Sequence, residues 1–354
     1  MQIHQILPTL SPGDAIGNEA RLMQSLFRQW GYTSHIFAEN IHPVTMAFNI
    51  EKYKEFSHKD NILIYHYSIG SDITEFFKTL PDKKILIYHN ITPPEYFIGI
   101  NEVLYKLLKH GRESLPSLIN SVELAIGDSE YNRQELEKMG FSRTDVLPIL
   151  IDFNIYHRFN DSLIQKFTDD YVNFLFVGRI SPNKKQDDIL KIFYYYKSIN
   201  PKSRLFLVGG FNGCERYINQ LQDIVKKLQL SDVFFTGSVP FEDLISYYKI
   251  ADIFLCMSEH EGFCVPLVES MYFNIPIVAY NSTAVTHTLG NSGIIVKEKR
   301  YDEIAELINV ITEDNNLKMK IIELQKDRLN DFMFENSKKK VRQIINHLID
   351  VTRS

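Results

Sequence analysis

The chain has 354 residues, 44% of them hydrophobic and 23% charged, and a formal net charge of -5. That length accommodates two domains, each with its own core, and the composition excludes extensive disorder. The acidic balance argues against non-specific nucleic-acid binding, which depends on Lys and Arg neutralising phosphates.

The first residues, Met1-Gln2-Ile3-His4-Gln5-Ile6-Leu7-Pro8, show no cationic leader followed by a cleavable apolar segment. No apolar run approaches the roughly 20 residues of a spanning helix. The expectation is a cytoplasmic protein, with peripheral membrane attachment left open. Three cysteines, Cys214, Cys256 and Cys264, form no Cys-x-x-Cys pair and are expected to be reduced, with Cys256 and Cys264 packed near a strand end.

In chain order, residues 3–10 read as a strand, 12–18 as a glycine loop, and 19–30 as a helix with Leu22, Leu26 and Trp30 on one face. Strands follow at 32–38, 61–66, 84–88 and 122–127, with a polar surface helix at 130–139. The short apolar runs suit a parallel sheet covered on both faces. A second series starts with the strand into loop of 172–179, then a helix at 187–198, a strand at 204–208 and a helix at 216–228. It continues as strand 233–236, helix 241–249, strand 252–257, helix 265–272 and strands 275–280 and 294–296. The fold class is therefore α/β, with one grammar used twice. Domains are expected at 1–165 and 166–330, with a helical segment at 331–354. Leu317, Ile321, Leu324, Ile344 and Leu348 are candidates for packing that tail on the body.

In open parallel sheets, ligands bind beyond the carboxyl ends of the strands. Gly178-Arg179-Ile180-Ser181-Pro182-Asn183-Lys184-Lys185 places three cations at such an end. Fixed cations there would stabilise a departing diphosphate, and the alternative is a solvated basic turn. In Ser258-Glu259-His260-Glu261-Gly262-Phe263-Cys264-Val265-Pro266-Leu267-Val268-Glu269, a loop carboxylate and a helix carboxylate could accept hydroxyl hydrogen bonds from one polar ligand. They could equally be two surface acids. His89, at the end of the 84–88 strand, either touches a ligand or holds its own loop by hydrogen bonds. The spacing of His66, His110, His157 and His287 makes no metal cluster. Gly13-Asp14-Ala15-Ile16-Gly17-Asn18 is neither a dinucleotide fingerprint nor a Walker loop. Gly209-Gly210 marks either close ligand approach or a tight turn.

Taken together, Gly178-Arg179 followed by Lys184, Gly209-Gly210, Phe235-Thr236-Gly237, Tyr248-Lys249-Ile250-Ala251-Asp252 and the pair Glu261 and Glu269 resemble the retaining glycosyltransferases of family four. The resemblance implies the GT-B architecture: two Rossmann-like domains facing across a deep cleft, with the carboxyl-terminal helical segment returning to the first domain. It implies a UDP- or GDP-sugar donor, a glycan or lipid-linked acceptor and no metal, and catalysis at the inner membrane face in surface-polysaccharide or lipopolysaccharide synthesis. Arg179 and Lys184 would hold the phosphates, Glu269 the ribose and Glu261 the transferred sugar. Gly17 would belong to a loop closing over the donor, Gly209 to the donor site, and His89 to the sugar or acceptor contact. The sequence departs from the family at Pro148-Ile149-Leu150-Ile151-Asp152, which lacks an Asn-Gly pair, and at His287, where a glutamate is common. A sugar-nucleotide epimerase, a phosphorylase on a similar scaffold and a non-catalytic nucleotide-sugar-binding protein are the rival readings.

Overall fold

The computed structural model describes residues 1–351. The chain forms two compact units. Unit 1 comprises Met1–Pro94, Val103–Asp152 and the chain from Phe332 on, and unit 2 comprises Glu95–Glu102 and Phe153–Asp331. The change of unit between Asp152 and Phe153 falls upstream of 165/166, and Asn160 is tied to unit 2. Its side chain donates to Asp243 Oδ1 (2.8 Å) and its N–H to Ser246 Oγ (2.7 Å).

Among the described residues, unit 1 contains a seven-stranded sheet: β1 (Ile3–Leu10), β2 (Ile36–Ile41), β3 (Phe48–Asn49), β4 (Ile62–Tyr67), β5 (Lys83–Tyr88), β6 (Leu124–Gly127) and β7 (Thr144–Val146). Its order is β3-β2-β1-β4-β5-β6-β7, all parallel. Strands β4 and β5 read as nearly unbroken buried runs, as expected where helices cover both faces. The helices are α1 (Ala15–Gln29), α2 (Ile73–Thr79), α3 (Glu102–Ser114) and α4 (Glu130–Met139). Helix α4 is delimited by chemistry legible in its sequence. Ser129 Oγ accepts from Asn132 N–H (3.2 Å), and Gly140 takes the left-handed closing position at φ 108°.

Two expected elements of unit 1 are displaced, and β3, β7, α2 and α3 have no counterpart among the expected elements. Helix α1 starts at Ala15, not at residue 19, because the Asp14 carboxylate accepts from Gly17 N–H (2.9 Å) and caps it. The strand expected at 32–38 is shifted to Ile36–Ile41, with residue Thr33 making only an isolated bridge to Gln2.

Unit 2 has helices α5 (Asp161–Phe167), α6 (Gln186–Ile199), α7 (Glu215–Lys227), α8 (Phe241–Ile250), α9 (Val265–Tyr272), α10 (Val285–Leu289), α11 (Tyr301–Glu313) and α12 (Asn315–Leu329). They surround six parallel strands: β8 (Val172–Val177), β9 (Ser203–Val208), β10 (Val233–Gly237), β11 (Ile253–Cys256), β12 (Ile277–Tyr280) and β13 (Ile294–Val296). The order β10-β9-β8-β11-β12-β13 is the doubly wound pattern whose direction of growth reverses between its two central strands. In unit 2 that reversal lies between β8 and β11, and in unit 1 between β1 and β4.

Helix α13 (Phe334–Val351) returns to unit 1. Val341, Ile344, Ile345 and Leu348 are buried against Ile64, Ile85, Ile87 and Ile126. Of the expected tail contacts, Ile321, Ile344 and Leu348 are buried, whereas Leu324 is 51% exposed. Residues 352–354 of the expected tail segment lie outside the described residues. Ile345→Ala should destabilise unit 1 by about 2–5 kcal/mol, the cost of a cavity in a packed core. Urea unfolding would read this as a lower midpoint, and an unchanged midpoint would mean that α13 is not part of that core.

Candidate functional site

In unit 2 the loops leaving β8 and β11 meet at the reversal point. Asn183 joins them: its side chain donates to the His260 carbonyl (3.1 Å), and its own carbonyl accepts from Glu259 N–H (2.8 Å). Ser181 Oγ fixes the other end of that amide by donating to Asn183 Oδ1 (2.9 Å). Thr283 braces the opposite side, accepting from Glu261 N–H (2.8 Å) and donating to the Glu261 carbonyl (3.0 Å). The next residue after Asn183 is thereby brought onto the next residue after His260, and Lys184 forms an ion pair with Glu261. Glu261 is buried and Lys184 partly so. Burial alone would lower the Lys184 ammonium, but the facing Glu261 charge outweighs it and the group sits above its ordinary range.

Glu269 lies one helix turn inside α9, and both of its oxygens are occupied. Tyr156 Oη donates to Oε1 (2.7 Å) and Tyr248 Oη to Oε2 (2.5 Å). Burial pushes this carboxyl up, and the two phenol donors oppose that by stabilising the ionised form. Neither tyrosine stood out in the sequence as a partner of Glu269. An aromatic cluster fixes them: Tyr156 packs edge-on to Tyr272, and Tyr248 stacks on Phe273 with centroids 5.3 Å apart.

Arg179 points elsewhere, donating to the Asn212 carbonyl (2.8 Å) of the loop after β9. Gly209 has a sufficient structural reason. Its φ is +149°, and a Cβ there would stand 2.0 Å from the Gly178 carbonyl oxygen. The two strand ends can approach so closely only without a side chain. Lys299 bridges Asp188 Oδ2 and Glu259 Oε1 at 2.7 Å each, and a cavity lined by Tyr96, Pro182, Lys185, Asp187, Tyr217 and Glu259 lies against the same β8 loop.

Unit 1 collects buried polar groups at its own reversal point. Gln5 on β1, His66 on β4, His89 just past β5, Asp128 past β6 and Glu19 on α1 are all buried. His89 Nε2 lies 3.0 Å from His66 Nδ1 and 3.7 Å from Glu19 Oε2, and its Nδ1 lies 3.4 Å from Asp128 Oδ2. Only 2% of the His89 side chain is exposed. Both ring nitrogens are thus directed into the unit, which is the loop-holding alternative of the sequence reading. Glu19, His66 and His89 bring one ligand atom each within 4.8 Å of one another, a grouping made across neighbouring strands rather than by the spacing of the histidines along the chain. Gly17, expected in a loop, is buried in the first turn of α1 with its N–H engaged by Asp14. His287, in α10, has its carbonyl held by Arg328 Nη2 (2.6 Å).

The tyrosine pair on Glu269 generates a pH-dependent prediction. Tyr248→Phe removes a donor to a buried carboxylate and should cost about 1–3 kcal/mol. Because Glu269's folded-state pKa is raised, its ionised form is held against burial by those donors. The cost should therefore be full above that folded pKa and shrink as pH falls through it. Denaturation of both proteins across pH 4–8 measures this, and a cost independent of pH would remove the donor role.

Residues 159–328 match the family model of glycosyl transferases group 1. The chain is 22% identical over 287 residues to the O-antigen chain mannosyltransferase B of Escherichia coli, covering 78% of this chain and 70% of that protein. It is 33% identical over 154 residues to the mannosylfructose-phosphate synthase of Agrobacterium fabrum, covering 40% of this chain and 34% of the relative. Further curated relatives are spanned over 29–59% of their length. Among solved structures, Anabaena HepE in complex with UDP and glucose superposes with a TM-score of 0.74 at 19% identity, covering 98% of this chain and 99% of that one. The chain therefore has the two-domain α/β GT-B fold, and its second unit carries the match to the group 1 glycosyl transferases.

Proposed function

We propose that this protein is a retaining glycosyltransferase that moves a sugar from a UDP- or GDP-sugar to a hydroxyl of a glycan or lipid-linked acceptor in surface-polysaccharide synthesis. The observation that carries the reading is the Lys184–Glu261 pair, built by Asn183 at the reversal point of unit 2 within the stretch that matches the family. A lysine already neutralised by a carboxylate is poised to exchange that partner for a diphosphate oxygen. The freed carboxylate can then accept hydrogen bonds from the sugar. Arg179, a planar fork at the neighbouring strand end, would add a second phosphate contact. Glu269 would take the ribose through the acceptor capacity its two tyrosines leave, since each carboxylate oxygen has more than one lone pair.

Neither glutamate is assigned as a nucleophile. In this reading the donor's own phosphate assists deprotonation of the acceptor while the leaving group departs on the same face. Two relationships support the substrate class: the E. coli relative is named for O-antigen mannosyl transfer, and the Anabaena structure holds UDP and glucose. Among the described residues no helix is long and apolar enough to cross a membrane.

The test is a panel of UDP- and GDP-sugars, read by acceptor-dependent release of nucleoside diphosphate and by NMR of the anomeric configuration of the product. Transfer with retention is expected. Arg179→Ala, which removes a surface side chain, should lower kcat/KM by about 2–4 kcal/mol in transition-state terms while leaving the melting temperature near the parent value. Glu261→Gln should damage use of the transferred sugar most. Near-normal transfer by both folded variants would move the donor site away from these loops.

A further inference from the structure

The buried cluster of unit 1 has a geometry that its hydrogen bonds do not complete. Gln5 Nε2 donates to the Ala20 carbonyl (2.8 Å), so the amide oxygen is the atom facing His66 Nε2 at 2.9 Å. That contact requires the proton of His66 to sit on Nε2, leaving a lone pair on Nδ1. On the other ring, Asp128 faces His89 Nδ1, and Asn132 Nδ2 donates to the second Asp128 oxygen. A proton held on His89 Nδ1 leaves a lone pair on Nε2. Glu19 contributes a third: Leu150 N–H donates to its Oε1 (3.2 Å), while Oε2 is buried with no hydrogen-bond partner.

Three lone pairs then converge. His66 Nδ1, His89 Nε2 and Glu19 Oε2 form a triangle with sides of 3.0, 3.7 and 4.0 Å. Such a triangle has a point about 2.1 Å from every corner, the length of a bond from zinc to imidazole nitrogen or carboxylate oxygen. A single proton placed between the two rings would satisfy the shortest side and leave Glu19 Oε2 without a partner, an expensive state for a buried carboxylate. Among the described residues, the ion pairs of Glu19 and Asp128 are with these histidines alone, so the positive charge they face is either a protonated His89 or a bound cation.

We propose that Glu19, His66 and His89 form a divalent transition-metal site in unit 1, with Zn2+ as the ion its donor set fits best. Two imidazoles and one carboxylate are ligands typical of zinc; Gln5 orients His66 and the Leu150 amide orients Glu19, while Asp128 Oδ2 stands 3.4 Å from His89 Nδ1, an atom with no hydrogen-bond partner of its own. The ion would lock strands β1, β4 and β5 to helix α1 at the reversal point. It is independent of the donor chemistry proposed for unit 2.

The full-length chain, purified without chelator, is analysed for bound metal by mass spectrometry. It is then stripped with EDTA and titrated with ZnCl2, MgCl2 or CoCl2. The expected results are about one zinc per chain and a rise in melting temperature of about 5 °C or more with Zn2+ but not Mg2+. Co2+ should give the visible absorption of a low-coordinate site with no thiolate charge-transfer band. Glu19→Gln and His66→Gln should abolish the Co2+ spectrum, with circular dichroism showing that they fold. Cys264→Ser should keep it, because in the second group of metal-type side chains, Cys256, Glu261 and Cys264, the carboxylate is already paired with Lys184. A metal-free purified chain with no Zn2+ shift and no Co2+ spectrum would overturn the proposal. So would a spectrum that survives Glu19→Gln and is lost in Cys264→Ser.

Discussion

A doubly wound parallel sheet must reverse its direction of growth once, and the loops on either side of that reversal splay apart into a crevice. The buried polar clusters built around Lys184 and Glu261 in unit 2 and around His66 and His89 in unit 1 are gathered at those two places, β8/β11 and β1/β4. The crevice brings together charges that could not be buried singly. Lys184 and Glu261 share the cost of leaving water, and Asn183, Ser181 and Thr283 hold the backbone so that the pair meets without searching. Preorganisation of this kind is what a site needs if its charges are to act on a ligand without first rearranging.

The second carboxylate is held by a different device. Glu269 is embedded in aromatic packing, and its charge is sustained by two phenols that are themselves wedged in place. An acid so placed is rigid and desolvated, suited to recognising hydroxyl groups by hydrogen bonding rather than to exchanging protons with solvent. The contrast between a pair neutralised by a lysine and an acid sustained by tyrosines gives the two glutamates separate characters within one short stretch of chain.

Much of the fold was legible because short apolar runs punctuated by glycine leave few alternatives: helices 130–139 and 265–272 and strand 294–296 fall where their patterns put them. The start of α1 was missed because two glycines suggested a loop, although Asp14, three residues before Gly17, was the capping signal that outweighed them. The site was legible only as residue types. That Lys184 meets Glu261 depends on Asn183, whose role exists only once two loops distant in sequence are adjacent. That His66 meets His89 follows from strand register: His66 pairs with Ile87, and His89 continues the same face two residues on. Spacing along the chain hid this, since the two histidines lie on neighbouring strands. Gly209 shows the converse, a residue read as either ligand approach or tight turn whose lack of a side chain is required by the approach of Gly178.

The central claim is that the reversal point of unit 2 receives a nucleoside diphosphate. A crystal structure of the chain grown with UDP or GDP tests it most directly. The account predicts diphosphate oxygens within hydrogen-bonding distance of Lys184 Nζ and the Arg179 guanidinium, and ribose hydroxyls on the Glu269 carboxylate. A nucleotide bound elsewhere on the chain, with the Lys184–Glu261 pair untouched, would contradict it.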